Sequence, residues 1–215
     1  MPPFIPDLPV IPAFAVATVI LAITPGPDMA LQLSRAINYG RAHGLAAMFG
    51  AMVGILVHTT LVAFGISVLI VAAPPLFLAL KIAGALYLLW LAWQAVVHGG
   101  GLRLAEAAKR PPSVRQSFAT GLGINLLNPK VVLFFMTFLP PFVEAHDPAA
   151  TGKLFALGAE FVLVSLPIGL LIVYAAEWLA AAFKRSKWIE RALNYSFAAI
   201  FTAFAATILT AQARH

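Results

Sequence analysis

Residues 42–80 contain no Asp, Glu, Lys or Arg. As one helix rising ~1.5 Å per residue, that run would approach ~60 Å, about twice the ~30 Å of a bilayer's hydrocarbon core. It must therefore turn. Pro74-Pro75 is the place, because proline pushes the residue before it out of the helical region. The same reasoning along the chain predicts six spans, at 10–33, 45–71, 76–97, 118–141, 154–178 and 191–211. The expected fold class is an all-α polytopic membrane protein. Composition agrees: 61% of residues are hydrophobic and 10% charged, where a soluble domain carries about 25% charged residues.

The 98–117 segment, with Gly99-Gly100-Gly101 and Pro111-Pro112, is the one long polar connection. It divides a single transmembrane domain, 1–215, into a first three-helix half (1–97), a cytoplasmic linker (98–117) and a second three-helix half (118–215). With the N-terminus outside, inner loops hold Arg35, Arg41, Arg103, Lys109, Arg110, Arg115, Lys184, Arg185, Lys187 and Arg191. Outer segments hold only Lys153 and Arg214. The positive-inside rule then predicts both termini outside the cytoplasm. Loops account for the net charge of +6, so a nucleic-acid partner is not expected. Cys 0 excludes disulfides and thiolate chemistry. No basic residue precedes the first apolar run, so no cleavable signal peptide is expected there.

Three spans per half is an odd number, so a repeat of this size enters the membrane upside down the second time. Transporters built this way place their site near the midplane, where corresponding helices are interrupted. The first span of each half carries such an interruption: Thr24-Pro25-Gly26-Pro27-Asp28, and Asn128-Pro129-Lys130. Aligning Pro27 with Pro129 sets Asp28 against Lys130. A proline lacks an N–H and displaces the carbonyl one turn earlier. In hydrocarbon the freed groups cost several kcal/mol (about 4–8 on a cyclohexane scale) unless they are satisfied. Half-helix N-termini favour a carboxylate and freed carbonyls an ammonium, so paired breaks suit a zwitterion. A plain proline kink packed on its neighbours is the simpler alternative.

The motifs TPGPD (24–28), SRAINYGRAHG (34–44), LKIAGALYLLWLAWQ (80–94) and NLLNPKVVLFF (125–135) resemble the LysE/RhtB family of amino-acid exporters, across nearly the whole chain. The resemblance implies a small inner-membrane efflux carrier, driven by the proton gradient and needing no cofactor. It points to Pro25, Gly26, Pro27, Asn128, Pro129 and Lys130 as site residues, with Lys81, Gly84 and Tyr87 matching the third-span pattern. Asp28 stands where the family usually has Asn, which adds a titratable group. Span six departs by lacking glycine: none follows Gly169.

Ionisable residues inside spans are costly, hence functional candidates. Lys130 lies deep in span four. Asp28 binds solute, carries a proton or caps the half-helix after it; it is also placed to pair with Lys130. Glu160 and His58 are further proton-coupling candidates, although His58 also suits a hydrogen-bonded packing role. Lys81 is near enough to the surface to snorkel. Asn125 adds hydrogen-bonding capacity beside Asn128. Gly50 and Gly54 form a GxxxG that serves either an internal contact or a homodimer face. The leading expectation is an amino-acid exporter working by alternating access. The alternative is a metal-cation or other small-solute exporter on a related six-span plan. An enzyme is not expected: no HExxH, GxSxG or GxxxxGK[ST] occurs.

Overall fold

The computed structural model describes residues 4–72, 110–143 and 147–185, with scattered positions between 82 and 107 and between 188 and 206. Spans three and six as wholes lie outside the described residues, as do Pro74-Pro75, Lys81, Gly84 and Tyr87. Seven α-helices are described: α1 (Val10–Ile23), α2 (Pro27–Tyr39), α3 (Arg41–Ala72), α4 (Val114–Leu127), α5 (Pro129–Leu133), α6 (Ala150–Tyr174) and α7 (Ala176–Arg185). A π turn (Phe134–Phe138) and a 3-10 turn (Pro140–Phe142) extend α5. Among the described residues there is no strand.

Two helices, at Arg41–Gly65 and Ala150–Tyr174, are each long and apolar enough to cross a membrane alone. Two helix pairs, α1 with α2 and Val114–Leu127 with Pro129–Met136, pass that test jointly and are each bent by 53° at a short break. Phe49, Val53, Leu56, Leu61 and Phe64 on α3 and Leu163 and Leu171 on α6 are exposed. An apolar surface of that extent would be a liability in water, whereas acyl chains solvate it at no cost.

The polar stretch 34–44, expected as a loop, is helical but for one residue. Helix α2 continues to Tyr39 and α3 starts at Arg41, with Gly40 at φ 91° between them. Only glycine adopts that left-handed conformation without strain, so a single residue reverses the chain. The GxxxG of α3 is an internal contact. A Cβ at Gly50 would strike the backbone of Phe118 and Leu122, and one at Gly121 would strike the backbone of Ala47. Helices α3 and α4 therefore touch main chain to main chain. Helix α4 begins with a capping box, in which Ser113 accepts from the Gln116 N–H and Gln116 accepts from the Ser113 N–H.

The main core lies on one side of the breaks. Phe14, Phe134, Phe135, Phe138, Phe142 and Phe161 interlock there, the Phe134 and Phe138 ring centres 4.7 Å apart. The methionine-rich packing of Met29, Met48 and Met52 against α6 and α7 lies on the other side. The two breaks sit between these layers.

Candidate functional site

Each break follows from its proline. Thr24, held at ψ 124° by the following Pro25, ends α1. Gly26 is extended, and Pro27 opens α2 at the position where a missing N–H costs nothing. Pro25 also leaves the Leu21 carbonyl without its partner one turn later. The donor that replaces it is Lys130, whose Nζ bonds to Leu21 O at 3.2 Å and to Thr24 O at 3.0 Å. A Cβ on Gly26 would lie 3.1 Å from that Nζ, so the glycine leaves room for the ammonium.

The second break repeats the logic with other donors. Asn128, extended before Pro129, caps α5 by accepting the Lys130 N–H at its Oδ1 (3.1 Å). Pro129 deprives the Asn125 carbonyl of its helical partner. The Asn128 N–H (3.1 Å) and His58 Nε2 (3.3 Å) take it instead. A carbonyl only accepts, so Nε2 carries the imidazole proton. His58 is buried and stacks on Phe135.

Asp28 closes the arrangement. Its Oδ2 accepts from Asn128 Nδ2 at 2.7 Å and from Asn125 Nδ2 at 3.3 Å. Each break thus supplies a charged side chain or its amide partners to the other. Two expectations change here. Asp28 does not cap α2, because the N-cap is Gly26 and no side chain bonds there. Asp28 and Lys130 also form no ion pair among the described residues. Asp28 instead accepts from two neutral amides, and Lys130 donates to two neutral carbonyls.

A cavity of about 80 Å³ lies against both breaks. A single water needs roughly 10–15 Å³ by that measure, so about five to eight waters, or a solute of about that many heavy atoms, fit. Thr24, Asp28, Gln32, Asn125, Lys130 and Ser165 supply its polar wall, and Met29, Met48, Met52, Ile55, Phe161, Ile168 and Ile172 much of the rest. Two valences point to a ligand. Asp28 Oδ1 is buried without a partner among the described residues. Lys130 has three N–H donors and spends two on carbonyls. Gln32 Oε1 is likewise buried and unpartnered among the described residues.

Of the site residues expected from sequence, Asp28, Asn125 and Lys130 line the cavity. Pro25, Gly26, Pro27, Asn128 and Pro129 form the breaks behind it. His58 braces the second break without reaching the cavity wall, and Glu160 is off that wall, its Oε1 buried without a partner among the described residues. Sequence reasoning missed Gln32, Met48, Met52 and Ser165. Gln32 was findable, lying four residues after Asp28 on the same face of α2. Among the described residues no three His, Cys, Asp or Glu side chains gather into a metal-binding group.

Broken apolar helices around a small cavity with one polar wall fit a membrane transport protein. The chain belongs to the LysE type translocator family, which it matches over residues 19–212. Its relatives include the homoserine/homoserine lactone efflux proteins of Salmonella typhimurium and Salmonella typhi. Each is 30% identical over 203 residues, covering 94% of this chain and 96% of the relative. An uncharacterized membrane protein of Pseudomonas aeruginosa is also 30% identical over 203 residues, covering 92% of this chain and 94% of its own length. No solved structure matches.

Proposed function

We propose that this protein is a secondary exporter of amino acids or close derivatives. Homoserine and its lactone, named for the Salmonella relatives, are the first solutes to test. The observation that carries this reading is a pair of valences unfilled among the described residues, on two residues that line one small cavity: one Asp28 carboxylate oxygen and the third Lys130 N–H. They are complementary to the ammonium and the carboxylate of a zwitterion.

In this reading the six spans form two inverted three-helix halves, 1–97 and 118–215, joined by a cytoplasmic linker at 98–117. Both termini lie outside the cytoplasm of the inner membrane. The aromatic layer around Phe14, Phe134 and Phe138 closes the outer side, and the cavity extends inward past Met29, Gln32 and Ile172. Alternating access would open that aromatic layer while the methionine layer closes. The proton gradient drives the cycle, with Asp28 the first titratable group to examine and Glu160 and His58 behind it. Pairing of two copies is compatible with this scheme but does not need the α3 GxxxG, which α4 occupies.

Overexpression in dipeptide-fed cells tests the function. Amino acids, homoserine included, should accumulate outside faster than in cells carrying empty vector. Unchanged release across all amino acids would reject the reading.

A further inference from the structure

The cavity wall carries information about the side chain of its solute. Among the described residues it holds one carboxylate, Asp28, and one ammonium, Lys130. A zwitterion uses both. Among the described residues a lysine-like or glutamate-like side chain would then meet no counter-charge in a desolvated space, which strongly disfavours it. Away from the breaks the wall is apolar and soft. Met48 and Met52, one helical turn apart on α3, are 1% and 8% exposed and face α6. Thioethers on unbranched stems adapt to varied apolar shapes.

Helix α6 makes room for these methionines at Gly169. A Cβ there would lie 2.7 Å from Met48 Sδ, 3.0 Å from Met48 Cγ and 3.8 Å from Met52 Cε. The first contact is closer than carbon and sulfur tolerate, yet the neighbour is the end of a flexible side chain. Any larger residue at 169 would therefore push the Met48 thioether off α6 rather than move the helices, and the space beside it is the cavity.

We propose that Met48, Met52 and Gly169 form the side-chain subsite of this cavity, and that it selects neutral amino acids with apolar side chains of leucine or methionine size. The proposal rests on the cavity being the amino-acid site. Gly169 sets the depth of the subsite and Met48 is its movable wall.

The test is a panel of dipeptide-fed cells, in a host whose own amino-acid exporters are deleted, carrying the wild-type chain or a variant. Release of alanine, leucine, methionine, phenylalanine, lysine and glutamate is measured at equal protein level in the membrane. Wild type should release leucine and methionine at least tenfold faster than lysine or glutamate. Gly169→Ala should lower leucine and methionine release several-fold relative to alanine. Met48→Ala should raise phenylalanine relative to leucine. Lysine release matching that of leucine would overturn the subsite while leaving the exporter intact. So would variants that change every amino acid by one common factor. No release of any amino acid by wild type would overturn both readings, so the two failures are distinguishable.

Discussion

The two breaks solve one problem with different materials. Each proline frees a carbonyl four residues earlier, and in each break a side chain from another helix takes it. At the first, the donor is a lysine ammonium that keeps a hydrogen to spare. At the second, the donors are the His58 imidazole and a backbone N–H. The first break is an open valence beside a cavity, and the second is closed by its own cap and His58. Asp28 joins them by taking both asparagine amides on one oxygen and leaving the other without a partner among the described residues. The contrast separates binding chemistry from support. Charge at the first break should govern transport, whereas the second break should govern mainly stability.

The largest expected effect comes from removing the ammonium. Lys130→Met leaves two buried carbonyls unsatisfied, each worth about 1.5–3 kcal/mol as bonds to a charged group, and removes the cationic partner of the solute. Amino-acid release should fall at least tenfold. Wild-type release would remove the lysine from the mechanism. Asp28 should divide more finely. Asp28→Ala loses both amide bonds and should lose several-fold in release. Asp28→Asn keeps an acceptor oxygen for Asn128 but removes the charge offered to the solute ammonium, so the fold should hold while release falls several-fold. Wild-type release by Asp28→Asn would remove the carboxylate charge from ammonium binding and proton uptake, while leaving transport itself standing.

Effects at the second break should be seen in stability first. His58→Phe keeps the stacking volume against Phe135 but removes a donor from the Asn125 carbonyl. The cost should be about 0.5–1.5 kcal/mol, seen as a lower melting temperature in detergent, with release near wild type. A loss of transport out of proportion to melting would move His58 into the proton path. The smallest effect lies away from both breaks. Asp147, before α6, accepts from Lys153 at 2.6 Å and from the Ala149 N–H, and these bonds hold its carboxyl below the usual carboxylate range. Their stabilisation is present above the unfolded value of 3.8 and fades as pH falls through the lower folded value. Asp147→Asn should therefore melt slightly below wild type at neutral pH, with the gap closing in strong acid.

The breaks were legible in the sequence because proline chemistry is local: TPGPD and NPK announce lost N–H groups wherever the chain goes. The α3–α4 contact was half legible. Gly50 and Gly54 mark a close approach, but nothing in their spacing names Gly121 as the other side. The Asp28–Lys130 pairing suggested by sequence does not form, because opposite signs describe attraction and not direction. A freed carbonyl three dimensions away competes for the lysine, and two amides compete for the aspartate. The methionine wall was invisible for a related reason. Met48 and Met52 read as any apolar pair in a membrane helix until Gly169 on α6 shows where they are pressed.

The bracing of one break by the other is most directly tested by a double-mutant cycle between Asp28 and Asn128. Melting in detergent is measured for wild type, Asp28→Ala, Asn128→Ala and the double variant. The 2.7 Å charge-assisted bond predicts a coupling of about 1.5–3 kcal/mol, so the double variant should be little worse than the poorer single one. Losses that add within about 0.5 kcal/mol would show that the two breaks stand independently, and would contradict the account.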